Sequence, residues 1–228
     1  MAYILCIETA TTICSVAIFN NEKLIDCIEQ DGSYSHAENL AKFVDDVLKN
    51  NQLDYSELTA IAISKGPGSY TGLRIGVAFA KGLCYAQNLP LIAINTLQAL
   101  AYGAISLIGV KEFFIIPMID ARRMEVYASV FDHNLKEQRV TSAEVIDSYS
   151  FEKFLKEKSV FFVGNGAHKC VEVLNHPNAV FNISIALSAK NMGLLANKLN
   201  QANKFEDLAY FDPLYLKEFI AIKSKKLV

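Results

Sequence analysis

The sequence predicts an α/β protein built as two similar lobes, each a mixed sheet flanked by helices. Three observations carry this reading: strand-like runs open the chain, strand-like and helical runs then alternate, and the order of elements in the first half recurs in the second. Residues 3–9, 14–19 and 23–29 read as strands, with Asn20-Asn21-Glu22 as the turn between the last two, so the chain begins with two successive hairpins. Residues 36–49 place apolar side chains at helical spacing. Residues 60–64 form a short apolar run and read as a buried strand. Residues 73–86 read as a second helix, 91–94 as a strand, and a third helix starts at Thr96. Hairpins followed by strand–helix–strand crossovers give a sheet with both antiparallel and parallel pairing.

Sliding the sequence by 112 positions sets Ile4 on Ile116, Ile7 on Ile119, Glu8 on Asp120, Ile18 on Val130, Phe19 on Phe131 and Asn20 on Asp132. Strand, acidic turn, strand, Asn/Asp turn and strand recur in that order. A polar helix over 150–157, a strand over 160–163, the turn Gly164-Asn165-Gly166, a helix near 168–174 and another near 186–199 complete the second copy. Such self-similarity implies duplicated lobes, divided here as 1–105 and 106–228.

Composition narrows the function. At 228 residues the chain can bury a sizeable core. Its 52% hydrophobic content and mean hydropathy of +0.21 are high, yet no apolar run approaches the roughly 20 residues that span a bilayer. The surplus apolar surface calls for helices buried on more than one side, or for an interface. A net charge of −2 argues against a dedicated nucleic-acid binder. Only the tail, with Lys217, Lys223, Lys225 and Lys226, is locally basic. The five cysteines are odd in number and form no Cys-x-x-Cys pair, so buried, reduced thiols in a cytoplasmic protein are expected. Met1-Ala2 lead straight into the first strand, and no signal peptide is expected.

The most specific stretch is Lys65-Gly66-Pro67-Gly68-Ser69-Tyr70-Thr71-Gly72-Leu73-Arg74-Ile75-Gly76, which turns a buried strand abruptly into a small-residue helix. Gly66 and Gly68 permit dihedrals closed to other residues, and Ser69 or Thr71 can cap the helix. The junction presents backbone N–H groups to an anion or to carbonyls. It is neither a Walker loop nor a dinucleotide Gly-x-Gly-x-x-Gly. On the first helix Ala37, Leu40, Ala41, Phe43, Val44, Val47 and Leu48 span an apolar arc of roughly 160°, wider than packing on one sheet requires. On the second, Gly76, Ala78, Ala80 and Gly82 allow close backbone approach, and Arg74, Lys81 and Tyr85 form the polar stripe. Both helices are therefore expected to have further apolar neighbours, within the subunit or across an interface.

Glu8 and Asp120 each follow a first strand, where a carboxylate commonly caps the turn, and Asp120 is placed to pair with Arg122 or Arg123. No two of His36, His133, His168 and His176 stand four apart, so no pair of imidazoles shares a helical face as a metal site. Ser35 or His36 reads as a helix cap. No Gly-x-Ser-x-Gly elbow is present.

Ile7-Glu8-Thr9, Ser35-His36-Ala37-Glu38-Asn39-Leu40, the whole 66–76 segment with Ala80-Lys81-Gly82-Leu83, Asp120-Ala121-Arg122-Arg123-Met124-Glu125-Val126-Tyr127 and Val163-Gly164-Asn165-Gly166 together resemble the TsaB (YeaZ) family. The resemblance spans most of residues 3–166 and continues loosely through Pro213-Leu214-Tyr215-Leu216-Lys217. It implies the two-lobed actin-like ATPase (ribonuclease H-like) fold. It also implies a non-catalytic cytoplasmic subunit that binds and activates TsaD, the enzyme that transfers threonylcarbamoyl to the adenosine next to the anticodon of ANN-decoding tRNAs. TsaE would be a further partner, the chain would be a homodimer when alone, and tRNA would be met only through the complex. No tightly bound cofactor is expected, with ATP or ADP at the TsaD interface as the one candidate. No catalytic residue and no metal ligand is assigned, and the expected partner surface comprises Leu40, Val44, Val47, Gly66, Pro67, Gly68, Ser69, Thr71, Arg74, Gly76, Ala78 and Lys81. Active actin-like ATPases close glycine-rich acidic turns on the phosphates; here neither Thr9-Ala10-Thr11-Thr12 nor Ala121-Arg122-Arg123 contains glycine. The alternatives are an active ATP-dependent kinase or carbamoyltransferase using Glu8 and Asp120, or a free-standing homodimeric interaction module.

Overall fold

Two five-stranded sheets of one topology frame the protein. The structure is a computed structural model that describes residues 2–32, 36–105, 107–108, 112–182 and 184–217. The first sheet contains β1 (Tyr3–Glu8), β2 (Ile13–Asn20), β3 (Lys23–Asp31), β4 (Leu58–Gly66) and β5 (Leu91–Asn95), in the order β3-β2-β1-β4-β5. The second contains β6 (Phe114–Asp120), β7 (Glu125–Asp132), β8 (Glu137–Val145), β9 (Val160–Val163) and β10 (Ala179–Asn182), in the order β10-β9-β6-β7-β8. Read from the opposite edge it is the same arrangement, two antiparallel pairs beside two parallel ones. The repeat seen in the sequence is thus a repeat of topology.

The helices explain why the central strands read as continuous apolar runs, since a strand covered on both faces has no polar side to alternate with. On one face of the first sheet, Leu5, Ile7, Val16, Ile18, Ile61 and Ile63 form a core with α1 (His36–Asn50) and α2 (Tyr70–Gln87). On its other face Ile4, Cys6, Phe19, Ile92 and Ile94 meet α3 (Thr96–Ile105), and Ile115, Ile119, Phe131 and Val163 of the second sheet join the same core. Helix α3 is therefore sandwiched between the lobes, and its Ala99, Ala101 and Ala104 keep that layer thin. Ile116, Met118, Val126 and Phe162 pack on the far side of the second sheet with Phe154 and Leu155 of α4 (Glu152–Glu157).

The last third differs from the sequence reading. Strand β10 was not anticipated, the region near 168–174 is a 3-10 turn at His168–Cys170, and the 186–199 helix splits into a 3-10 turn at Ala189–Asn191 and α5 (Gly193–Gln201). Ser188 caps the first piece by accepting from the Lys190 N–H at 3.3 Å. Gly193 lies so close to Phe19 that a Cβ would sit 2.1 Å from its ring. Residues 185–217, assigned from sequence to the second lobe, return to the first. Ile185, Leu187, Met192 and Leu195 enter the inter-lobe core, Glu206 bridges to Leu91 and Phe211 joins the core under α1 and α2. Ser35 and the basic residues Lys223, Lys225 and Lys226 lie outside the described residues.

All five cysteines are unpaired, and only Cys27 is less than fully buried. Burial pushes the Cys14 thiol up to about 11 and Cys84 to about 12, which keeps them protonated. No described helix is long and apolar enough to cross a membrane.

Candidate functional site

The 66–76 loop closes on the turn that follows β1. Glu8, at the end of β1, is completely buried, and its Oε1 accepts the Ala10 N–H and the Ser64 hydroxyl, each at 2.7 Å. Burial pushes its carboxyl up to about 7 against the opposing pull of those hydrogen bonds. Oε2 has no partner among the described residues. The Ala10 carbonyl accepts the Ser69 N–H at 2.7 Å, and His36 Nε2–H donates to the Thr11 carbonyl at 2.8 Å. Ser69 caps α2, its Oγ accepting the Gly72 N–H at 3.2 Å.

The glycines make this closure possible. A Cβ on Gly68 would lie 2.5 Å from the Ala10 oxygen, one on Gly72 2.1 Å from the Thr9 oxygen, and one on Gly76 2.2 Å from Thr9 Oγ1. Left-handed backbone belongs to Gly66 (φ 108°) rather than to Gly68, and Gly66 is followed by a cis bond to Pro67. The Ser69 N–H, one of the groups open to an anion or a carbonyl, is thus engaged by a carbonyl of the same chain. His36 does not act as a helix cap; its ring fastens α1 to the same turn.

At the matching position of the second lobe Asp120 is exposed. Its Oδ1 accepts the Arg122 N–H at 2.6 Å and Lys169 Nζ at 2.7 Å, and its own N–H donates to Asn165 Oδ1 at 3.0 Å. The ionic partner is Lys169, not Arg122 or Arg123 as the sequence implied. Glu125 pairs with Lys217. Between the two turns runs a strap. The Leu214 N–H donates to the Lys65 carbonyl at 2.6 Å, Leu214 O would be 2.7 Å from a Cβ on Gly66, Tyr215 packs on Tyr70 at 4.8 Å and Lys217 reaches Glu125. Residues 214–217 therefore tie the glycine loop of one lobe to the acidic turn of the other.

The expected partner surface separates into two sets. Leu40, Val44 and Val47 are sealed inside the subunit at 1%, 0% and 0% exposure, a correction with a simple cause: the wide apolar arc of α1 is covered by the sheet and by α2 of its own chain. Gly66, Pro67 and Gly76 are buried as well, and Gly68 is half-buried. Ser69, Thr71, Arg74 and Ala78 are exposed, with Gly82 and Tyr85 continuing the same face of α2. Lys81 donates to the carbonyls of Phe211 at 2.9 Å and Ala209 at 3.3 Å. A groove of about 570 Å³ lies between Arg74, Ala78 and Lys81 on one side and Phe211, Pro213 and Tyr215 on the other. Ser64, Lys169 and Phe211 are not singled out by the sequence, and Asn165 and 213–217 appear there only inside motifs, without a role. Ser64 leaves a signal there, as the hydroxyl that ends the apolar run 60–63.

Residues 30–221 match the family model described as TsaD, tRNA N6-adenosine threonylcarbamoyltransferase. The tRNA threonylcarbamoyladenosine biosynthesis protein TsaB of Bacillus subtilis is 32% identical over 166 residues, which cover 71% of this chain and 70% of the relative. The chain belongs to the TsaB (YeaZ) branch of that family. TsaB of Escherichia coli is 36% identical over 124 residues, or 54% of this chain; the match spans about half, 52%, of that relative's length. The solved structure of YeaZ from Pseudomonas aeruginosa has a TM-score of 0.83 at 24% identity, covering 95% of this chain and 100% of that one. The fold is accordingly the two-lobed actin-like ATPase fold.

Proposed function

We propose that the chain is a non-catalytic cytoplasmic subunit of tRNA threonylcarbamoyladenosine biosynthesis that binds and activates a TsaD-type threonylcarbamoyltransferase. The observation that carries the reading is the closure of the first acidic turn. A phosphate-gripping turn of an active actin-like ATPase keeps its carboxylate open to hydrated magnesium, whereas Glu8 is sealed and its turn is filled by the glycine loop of the same chain. The sealed first turn offers no open carboxylate for a phosphate grip, and the 214–217 strap runs from the glycine loop to the second acidic turn. A loop moulded on the turn instead sets the angle of α2, whose exposed face with Arg74, Ala78, Gly82 and Tyr85 is the proposed docking surface for the partner and, in its absence, for a second copy. ATP or ADP would belong to the shared interface with the partner, with TsaE as the further component.

The test is reconstitution. The isolated chain should neither turn over ATP at an enzymatic rate nor modify tRNA, and adding TsaD, TsaE and threonylcarbamoyl-adenylate should yield modified tRNA. Sustained ATP turnover by the chain alone, abolished in Glu8→Ala or Asp120→Ala, would overturn the assignment in favour of a kinase-like enzyme.

A further inference from the structure

We propose that the turn after β6 is a docking site for the phosphodiester backbone of RNA, with the Arg122 and Arg123 guanidiniums as its phosphate ligands. The inference rests on the tRNA-modification reading and adds to it a direct RNA contact by this subunit.

Arg122 and Arg123 are held at φ 70° and φ 49°. A Cβ crowds the backbone there, and glycine or asparagine is the usual occupant. They are the only two successive non-glycine residues in that region among those described. The turn cannot relax out of it cheaply. Asp120 Oδ1 holds the Arg122 N–H, the Ala121 N–H donates to the Glu125 carbonyl at 3.0 Å, and the Glu125 N–H donates to the Arg122 carbonyl at 3.1 Å. Strain kept at exposed residues that contribute nothing to a core points to a use outside the fold.

Charge says what that use is. Both carboxylates of the turn are already neutralised, Asp120 by Lys169 and Glu125 by Lys217. Among the described residues neither guanidinium has an ion-pair partner, and both arginines are exposed. Two uncompensated positive charges on a stiff turn make a local patch that the overall charge of −2 conceals. A guanidinium presents parallel N–H donors that match phosphate oxygens. Contacts of that kind position a nucleic acid without reading its sequence. That suits a subunit which would hold a folded RNA beside a catalytic partner.

The test uses the full chain mixed with its TsaD-type partner, a transcribed ANN-decoding tRNA as probe, and filter binding over a salt series. The double variant Arg122→Asn/Arg123→Gly should bind tRNA at least about tenfold more weakly. Its salt dependence should lose a slope of about two, one unit for each phosphate contact removed. Its melting temperature should rise, because both replacements tolerate left-handed backbone. Arginines with a purely structural role give the opposite result in melting. Arg122→Lys/Arg123→Lys should keep more of the binding than the Asn/Gly variant. Unchanged affinity and slope in the Asn/Gly variant, or a loss of affinity for the partner protein in place of the tRNA, overturns the proposal. Stimulation of threonylcarbamoyl transfer by the wild-type chain, with an unchanged slope in the variant, overturns the RNA contact alone. A wild-type chain that neither stimulates transfer nor adds to tRNA binding overturns both readings.

Discussion

Replacing Gly68 with alanine should cost far more stability than replacing Gly82, although both lie in or beside the same helix. At Gly68 the new methyl would meet the Ala10 oxygen at 2.5 Å and the Ala10 Cβ at 2.6 Å, and that oxygen is the acceptor of the Ser69 N–H. Overpacking of this kind costs about 1–3 kcal/mol, and the disturbed hydrogen bond about 1 kcal/mol. The reduced freedom of the unfolded chain returns about 0.4–1 kcal/mol. The net loss is about 1–4 kcal/mol, which at about 2–4 °C per kcal/mol for a chain of this size lowers the melting temperature by about 2–14 °C. A Cβ on Gly82 meets nothing within 4 Å, so Gly82→Ala should stabilise by about 0.5–1 kcal/mol through helix propensity alone. Thermal unfolding followed by circular dichroism reads both variants. Shifts of the same sign, or a Gly68→Ala midpoint within a degree of wild type, would refute the view that the loop is a mould for the 8–12 turn.

Three further outcomes follow from burial. Because burial raises the folded carboxyl of Glu8 from 4.5 to about 7, the folded state binds the extra proton between those values; the contribution of Glu8 to stability is fully present below 4.5 and is lost as pH rises through 7. Glu8→Gln should remove that decline, on the order of 3 kcal/mol, and denaturant titrations that decline equally in both proteins over this range would contradict it. Val44→Glu should unfold the chain rather than merely separate subunits, since Val44 is fully buried; a folded monomer by circular dichroism and size exclusion would put Val44 on a subunit interface instead of in the core. Ala78→Arg on the exposed face of α2 should leave melting nearly unchanged and weaken partner binding at least about tenfold by calorimetry, whereas wild-type affinity would remove this face from the interface.

Much of the fold was legible because local signals agreed. The two hairpins, α1, the strand before the glycine loop and α2 lie where periodicity and turn residues put them. What periodicity cannot say is whose surface covers an apolar arc. The arc of α1 was legible, but its covering by α2 and β2 depends on how α2 leaves the glycine loop, and that angle is set by contacts with Thr9 and Ala10 about 60 residues earlier in the chain. The loop illustrates the same limit. Its exposed N–H groups were readable as an acceptor-seeking site, yet the acceptor, the Ala10 carbonyl, carries no side-chain signature. The Asp120–Lys169 pair and the 211–217 strap are likewise products of long-range closure, without a pattern in either segment.

The two lobes also show how one sheet can place the same acid in opposite environments. Glu8 and Asp120 end equivalent central strands, but the first lobe follows its hairpins with a 15-residue α1 and an 18-residue α2, while the second has a 6-residue α4 and a 3-10 turn of 3 residues. Shortening the helices is why the 112-residue offset that aligns β1 with β6 does not hold as far as β4 and β9. It is also why no described helix closes over Asp120. With a long helix entering at Gly72 and His36 reaching Thr11, the first acid is sealed and pushed toward neutrality. Without them, the second stays at the surface and is held by Lys169. The first lobe thus carries two long helices on its outer face, and the other lobe leaves its turn, with both arginines, open to solvent.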